Sequence, residues 1–462
     1  MSRVHPTLPP QHHPAALPTP TSSTSFWHTA PSPLLTAHRS TRALPPTADI
    51  VIIGSGMTGA SAAHHLLTST NPPAPALAVV MLEAREACWG ATGRNGGHCQ
   101  PLLFEHPHDP SIGRFELANF RALQALVADK GVECEFVAQP GVRALYGRHY
   151  LDEAEEALRV METTAPDLRA LLTLVTDKAE LERLRISTAV GAVVTEVAGR
   201  MWPYKFVARV LEDLLGDCSL AGTFNLQTLT PVTSLTPHPP TARWTVTTPR
   251  GTILARRVIL ATNAYTSHLV PAFTNLIIPC RGQMSALHPP PALRGDARLT
   301  TSVGFLGEGR DDYLIQRPNE GGGHLMFGGG REVDAGLGVT DDSVVDEATA
   351  AYLRGTLVKA LGLPLTPANE WSGIMAFSRD AHPFVGAVPG PEHAGLFVAA
   401  GYTGHGMPNA WLCGKAVALM AAGSLVGGGG DVDVEGVGEG VGLPRAYWVT
   451  GERMGTGMGM GG

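Results

Sequence analysis

The sequence predicts an α/β fold, α+β taken over the whole chain, in which a discontinuous parallel-sheet domain is joined to a second domain built on an antiparallel sheet. Three observations carry this expectation. Asp49 to Glu83 reads as strand, glycine turn, helix and strand. Gly395 to Pro408 reads as a strand running into a second glycine turn and then a helix. Between them, from Arg281 onward, alternating strands follow one another with no helix in between.

Taken in order, residues 1–47 are rich in Pro, His, Ser and Thr and lack the apolar run of a secretory signal, so a flexible N-terminal arm is expected. Asp49-Ile-Val-Ile-Ile53 is apolar on both faces, as a central parallel strand requires. The turn after it, Gly54-Ser-Gly56-Met57-Thr58-Gly59, is G-x-G-x-x-G. Gly54 allows the bend, Gly56 lets a pyrophosphate approach the backbone, and Gly59 lets the helix from Ala60 to Leu67 pack close to the strand. The N–H groups at the start of that helix face the phosphates. A loop, Asn71-Pro-Pro-Ala-Pro75, leads into Leu77 to Leu82, and Glu83 stands where a ribose hydroxyl is held. This run marks a dinucleotide site without choosing between FAD and NAD.

The next stretch, Gly90-Ala91-Thr92-Gly93-Arg94-Asn95-Gly96-Gly97, holds too many glycines for a helix or strand, so it is a loop whose backbone passes close to something flat or charged. Helices are expected over Ile112 to Lys130, closed by Gly131, over Asp152 to Met161, over Tyr204 to Leu215 behind Pro203, and over Val344 to Leu361. Glu133 to Tyr146 reads as a hairpin and Phe224 to Val232 as extended chain. Arg243 to Thr248 pairs with Gly251 to Arg257, and Val258 to Ala264 is a buried parallel strand. Asp312 to Arg317 and His324 to Gly329 are strands of the second sheet. The helix after the late glycine turn is expected to begin at Pro408. Beyond Gly423 a glycine-rich tail is expected to be mobile, apart from Pro444 to Val449, which docks.

Composition bounds the function. A chain of 462 residues implies two domains plus tails, and a net charge of -7 without a Lys/Arg cluster gives no reason to expect nucleic acid. Six scattered cysteines, with no C-x-x-C pair or Cys/His spacing, point to a reducing compartment and no metal site. The apolar stretch Ala410 to Val426 contains Lys415 and reads as a buried helix, so no membrane span is expected and the cytoplasm is the expected location.

The motifs together resemble the D-amino-acid oxidase superfamily of FAD-dependent oxidoreductases, most closely its γ-glutamylputrescine oxidase-like branch through Gly90 to Gly97. The resemblance runs from Asp49 to about Met420 and includes Gly401-Tyr-Thr403-Gly404-His405-Gly406. It implies a Rossmann-like FAD-binding domain of glutathione-reductase type over 48–105, 203–280 and 371–423, and a substrate domain over 106–202 and 281–370. An N-terminal arm over 1–47 and a tail over 424–462 complete the chain. Gly54, Gly56, Met57, Thr58, Gly59, Glu83, Ala84 and Arg85 would serve the ADP half of FAD. Gly90, Ala91, Thr92, Arg94, Asn95, Gly96 and Gly97 would meet the pyrophosphate and isoalloxazine edge. Val232 would meet the adenine, Thr262 the phosphates, and Gly401, Thr403, Gly404, His405, Gly406 and Met407 the pyrimidine side of the flavin.

The resemblance implies oxidation of a C–N bond in a small-molecule amine or amino-acid-like substrate to an imine, with O2 as acceptor and H2O2 as product. His98, Gln100, Tyr313 and His405 are the catalytic candidates. Sarcosine oxidases carry a lysine two residues after the G-H-G turn to hold the substrate carboxylate, and here that position is Pro408. They attach flavin to a cysteine seven residues before an aspartate matched by Asp380, where this chain has Gly373, and the dimethylglycine dehydrogenase histidine is matched by Arg94. Non-covalent FAD is therefore expected; Cys88 and Cys99 near the flavin loop are read as buried spectator thiols or covalent ligands, and Arg281 as a partner for a distal carboxylate or half of a surface salt bridge. Competing readings are an FAD-dependent dehydrogenase with another acceptor, an NAD-dependent dehydrogenase, and a flavin-binding protein without amine chemistry.

Overall fold

The central strand of the first sheet, Thr47–Ile53, carries Ile50, Val51 and Ile52 with no exposed surface, which explains the unbroken apolar run in the sequence. The computed structural model describes residues 10–455 except 12, 69–76, 221–222, 239–240, 242, 332, 335 and 427–432, so the expected Asn71–Pro75 loop lies outside the described residues. The sheet runs in the order Phe384–Ala387, Leu396–Ala400, Gly251–Leu260, Thr47–Ile53, Val79–Leu82, Phe224–Gln227. All its neighbours are parallel except the first pair, and Ser234–His238 and Arg243–Thr248 extend it as an antiparallel arm. Ile53 pairs with both Leu82 and Leu260, so the Gly54 turn, Glu83 and Thr262 emerge side by side at the carboxyl edge of the sheet. That edge is where open parallel sheets bind ligands.

The helix Met57–Thr68 packs against Ala410–Val426, and a Cβ on Gly414 would sit 2.5 Å from Thr58 O. Glycine there lets the two backbones approach. The Gly251–Leu260 strand merges two segments that the sequence separated. The helix after the late glycine turn begins at Ala410 rather than Pro408, because Gly406 O accepts from the N–H groups of both Asn409 and Ala410 and closes a turn first.

The second sheet runs Pro367–Ser378, Ile277–Leu287, Leu325–Gly329, Asp311–Gln316, Ser302–Leu306, Val137–Leu145, Gly191–Arg200, His98–Cys99, with Leu172–Val175 flanking it. It is antiparallel except where Ser302–Leu306 pairs parallel with Val137–Leu145. The expected hairpin over Glu133 to Tyr146 is instead one strand. Its Pro140-Gly141 pair, which looks like a turn in sequence, is absorbed as a register shift between Gln139 and Gly141 against Gly191–Arg200.

The expected helices are present with shifted ends, as Pro110–Lys130, Arg148–Thr164, Pro203–Gly216 and Glu347–Leu361. Gly131 caps the first at φ 57°, and Asp346 caps the last by accepting from Thr349 N. In the tail, Val434–Val441 is helical and Tyr447 is buried with its hydroxyl donating to Asn409. Among the described residues no helix is long and apolar enough to cross a membrane.

The N-terminal segment departs most from expectation. Ala15, Trp27 and Leu35 are buried, and Trp202 Nε1 donates to Trp27 O at 2.8 Å. The polar, proline-rich composition conceals Phe26-Trp27-His28, whose rings supply enough buried area to anchor the stretch.

Candidate active site

A single cavity of about 350 Å³ starts at the carboxyl edge of the parallel sheet and ends against the second sheet. At the carboxyl edge of the parallel sheet it is lined by Gly54, Gly56, Met57, Thr58, Glu83, Ala84, Arg85, Val232 and Thr262. Gly90, Ala91, Thr92, Arg94, Asn95 and Gly96 line the middle. His98, Gln100, Tyr313, Thr403, Gly404, His405, Gly406 and Met407 line the far end, so residues from both glycine turns and from both sheets share one space.

The cradle is shaped for close backbone approach. Gly54 has φ 106°, and a Cβ on it would lie 2.6 Å from Ala261 O. A Cβ on Gly56 would meet Thr92 Oγ1 at 3.0 Å, the same oxygen that accepts from Met57 N. Glu83, nearly buried, accepts from Ser55 N (3.0 Å), Ser55 Oγ (2.6 Å) and Arg85 N (3.0 Å), so it braces the glycine turn as well as facing the cavity.

Three glycines of the expected set do not line the cavity. Gly59 packs against the turn, where a Cβ would fall 1.9 Å from Gly54 O, in keeping with its expected packing role. Gly97 (φ 70°) passes Met201 O too closely for any side chain, and Gly401 (φ 82°) donates its N–H to Asn263 Oδ1. Both shape turns beside the cavity rather than its wall.

Arg85 and Arg94 reach the cavity, but their charges are committed elsewhere. Arg85 Nη1 lies 2.9 and 3.0 Å from the carboxylate oxygens of Asp342, and Arg94 Nε lies 3.3 Å from Asp342 Oδ2 and donates to Ser372 O at 2.7 Å. Burial lowers Arg94 to about 10, partly offset by Asp342. Arg281 does not line the cavity and is paired with Asp334 at 3.1 Å, which removes it as the candidate for a distal carboxylate.

At the far end, Tyr313 lies over the loop so closely that a Cβ on Gly96 would meet its Cε2 at 2.3 Å. Burial pushes its phenol well up, and its hydroxyl points at Met284 Sδ, 2.9 Å away. His98 Nε2 is 2.6 Å from Gln100 Oε1, and burial lowers the imidazole to about 4 against the pull of that hydrogen bond. His405 Nε2 approaches Glu116 Oε1 to 2.9 Å without the alignment of a hydrogen bond. For Glu116, burial works to raise the carboxyl, but His405, Leu102 N and Asn409 Nδ2 together hold it below its ordinary value.

Sequence reasoning missed Arg143, Asp311, Asp312 and Arg331, all of which line this end. Arg331 is ion-paired with Asp311. Arg143 is buried, with Nη2 3.6 Å from Glu105 and 3.9 Å from Asp311 and no hydrogen-bond partner for Nε among the described residues. Its signal was legible, since it interrupts the apolar run Val142 to Leu145, and a buried arginine needs a reason. The hairpin reading hid it.

FAD fits this lining, because Gly54 and Gly56 leave a space that a Cβ would fill beside a helix start. Among the described residues no cysteine lines the cavity; Cys88 and Cys99 are buried, and burial pushes both thiols up, Cys99 to about 12.

Residues 49–420 match the sequence profile of the FAD dependent oxidoreductase (DAO) family. The chain is 23% identical over 392 residues to the γ-glutamylputrescine oxidoreductase of Escherichia coli, covering 82% of this chain and 84% of that protein. It is 26% identical over 394 residues to the "Probable oxidoreductase OrdL" of Rhizobium meliloti, covering 81% and 83%. Among solved structures, glycine oxidase from Geobacillus kaustophilus superposes with a TM-score of 0.65 at 19% identity, over 82% of this chain and 95% of that one, which shows a common fold. With a profile match spanning both sheets and the cavity between them, the chain belongs to the FAD-dependent oxidoreductase family of the D-amino-acid oxidase type.

Proposed function

We propose that this chain oxidises the C–N bond of a small-molecule amine to an imine, with O2 as electron acceptor and H2O2 as product, the imine hydrolysing afterwards. The observation that carries the reading is the continuity of the cavity from the Gly54–Gly56 cradle to the pocket framed by His98, Tyr313 and His405. Bound FAD supplies the two-electron chemistry, and the protein's task is to present the carbon beside nitrogen to it.

An amine must lose its proton before it can donate a hydride. His98 is held uncharged by burial, and with Nε2 donating to Gln100 its Nδ1, buried and without a hydrogen-bond partner among the described residues, is the acceptor proposed for that proton. It is a weak base, and the apolar lining of Met284, Met375 and Phe377 helps by disfavouring the ammonium form. Tyr313 packs directly on Gly96, so the glycine sets where the ring stands in the pocket that receives the substrate.

Pro408 stands where an α-carboxylate anchor would be, so the preferred amine has no acid beside its reacting carbon, or has one at a distance. Arg85, Arg94 and Arg331 are each paired with an aspartate, whereas Arg143 has only the longer contacts to Glu105 (3.6 Å) and Asp311 (3.9 Å) and an Nε without a hydrogen-bond partner among the described residues, which makes it the lining cation best placed for a distant acid. The γ-glutamylputrescine in the E. coli relative's name is an amine of that kind. An amine panel in air with peroxide detection tests the reading: alkyl-, aralkyl- or γ-glutamyl-amines should outrun sarcosine, glycine and D-alanine. Arg143→Met should raise KM roughly ten-fold or more for acid-bearing amines only, the loss of a hydrogen bond to a charged group. Absence of peroxide with every amine would sink the oxidase assignment.

A further inference from the structure

The family match begins at residue 49, yet the chain before it runs along the cavity wall. Leu17 and Pro18 line the cavity itself. Thr19 Oγ1 donates to Asp342 Oδ1 (2.9 Å) and Ser23 N to Asp342 O (2.8 Å), on the aspartate that pairs with Arg85 and Arg94. From there three successive residues of the glycine loop are held one by one. Gly93 O accepts from Ser25 Oγ at 2.8 Å; the Arg94 guanidinium donates to Ser22 Oγ and to the carbonyl and hydroxyl of Ser23; Asn95 O accepts from Trp27 Nε1. Trp27 has no exposed surface, and His28 stacks on Trp89 with ring centroids 3.7 Å apart. A Cβ on Gly93 would fall 2.3 Å from His28 Nε2, so the segment and the loop are fitted to each other.

We propose that residues 17–28 are a working part of the cofactor site, a strap that clasps the Gly90–Gly97 loop and closes the cavity with Leu17 and Pro18 so that bound FAD is retained. A loop with this many glycines has much conformational freedom to lose, and hydrogen bonds from a segment anchored by the buried Ser25, Trp27 and His28 restrict it before the ligand arrives. Release of a ligand lying against that loop requires the loop to open, and opening breaks the strap's contacts. By reciprocity, bound FAD stabilises the strap as much as the strap stabilises bound FAD. The proposal rests on FAD occupying this cavity and assigns a role to a segment outside the family match.

The test compares wild type with the holoenzyme of Ser25→Ala/Trp27→Phe, which removes the hydrogen bonds to Gly93 and Asn95 while keeping an aromatic ring in place. FAD release after dilution, followed by flavin fluorescence, should be roughly ten-fold faster or more in the variant, as two lost hydrogen bonds allow. The rise in melting temperature that FAD confers should shrink. An unchanged release rate would overturn the proposal, as would equal losses of melting temperature with and without FAD, which is what a purely structural brace would give. Wild-type protein supplies a second measurement that needs no variant. Chymotryptic cleavage at Phe26 or Trp27 should be slowed by FAD, and equal cleavage with and without FAD would overturn the strap. A wild-type chain that binds no FAD would bring down the cofactor reading itself, a result distinct from FAD that binds and leaves at an unaltered rate.

Discussion

Replacing Glu83 separates what this carboxylate does for the protein from what it does for the cofactor. It accepts from Ser55 N, Ser55 Oγ and Arg85 N, and Ser55 and Arg85 are both buried. Glu83→Ala leaves those two backbone N–H groups without an acceptor, at about 1–3 kcal/mol each. A ribose hydroxyl bonded to the same carboxylate adds about 1.5–3 kcal/mol to FAD binding, so Kd should rise by roughly 10- to 150-fold. Glu83→Gln keeps one oxygen, which must serve Ser55 N, and turns its amide donors toward Arg85 N, so it should fall between wild type and alanine. Titration of apoprotein with FAD gives Kd from fluorescence quenching, and melts of the apoprotein give the structural cost. If the alanine variant melts lower without FAD yet binds FAD with unchanged Kd, the carboxylate braces the turn and does not touch the ribose.

Other consequences follow from the same geometry. Acid precipitation should leave FAD in the supernatant, since no cysteine lines the cavity; flavin in the pellet would send the search to Cys88 and Cys99. Gly96→Ala should force the Tyr313 ring aside, because the new Cβ would lie 2.3 Å from Cε2; substrate-dependent flavin reduction should drop while FAD stays bound, and an unaffected reduction rate would show that the position of Tyr313 does not matter to the substrate. Burial raises Asp312 to about 6 despite hydrogen bonds from Tyr352 and Gly330 N. A raised carboxyl favours the fold below its unfolded value near 3.8 and loses that contribution as pH climbs through 6, by up to about 3 kcal/mol. Asp312→Asn should therefore melt higher than wild type above pH 6, with the gap closing toward pH 4; a gap independent of pH would refute the assignment.

The parallel half of the fold was legible because its signals are local. A β-branched run, three glycines at fixed spacing and a terminal acid lie within one short stretch, and the structure aligns Ile53, Leu82 and Leu260 at one edge as that pattern requires. The far half of the cavity was less legible because its residues come together only through strand register. His98 was found since it follows the glycine loop directly, whereas Arg143 reaches the cavity from a strand that Pro140-Gly141 disguised as a hairpin. Arg281 was ambiguous for the opposite reason, because a cation on a substrate-side strand reads equally as a ligand for an acid or as half of a salt bridge until Asp334 is seen beside it. The N-terminal segment was misread on composition: Ser22, Ser23 and Ser25 look like solvated linker residues, and only the fold shows that each meets the glycine loop.

Anaerobic mixing of the yellow holoenzyme with single amines, followed at the oxidised flavin band, bears most directly on the claim that this cavity oxidises amines. Alkyl-, aralkyl- or γ-glutamyl-amines should bleach the band fastest, and sarcosine, glycine and D-alanine slowly, because Pro408 offers no anchor for an α-carboxylate. Bleaching by dithionite but by no amine would contradict the account, and fastest bleaching by sarcosine or a small D-amino acid would contradict its reading of Pro408.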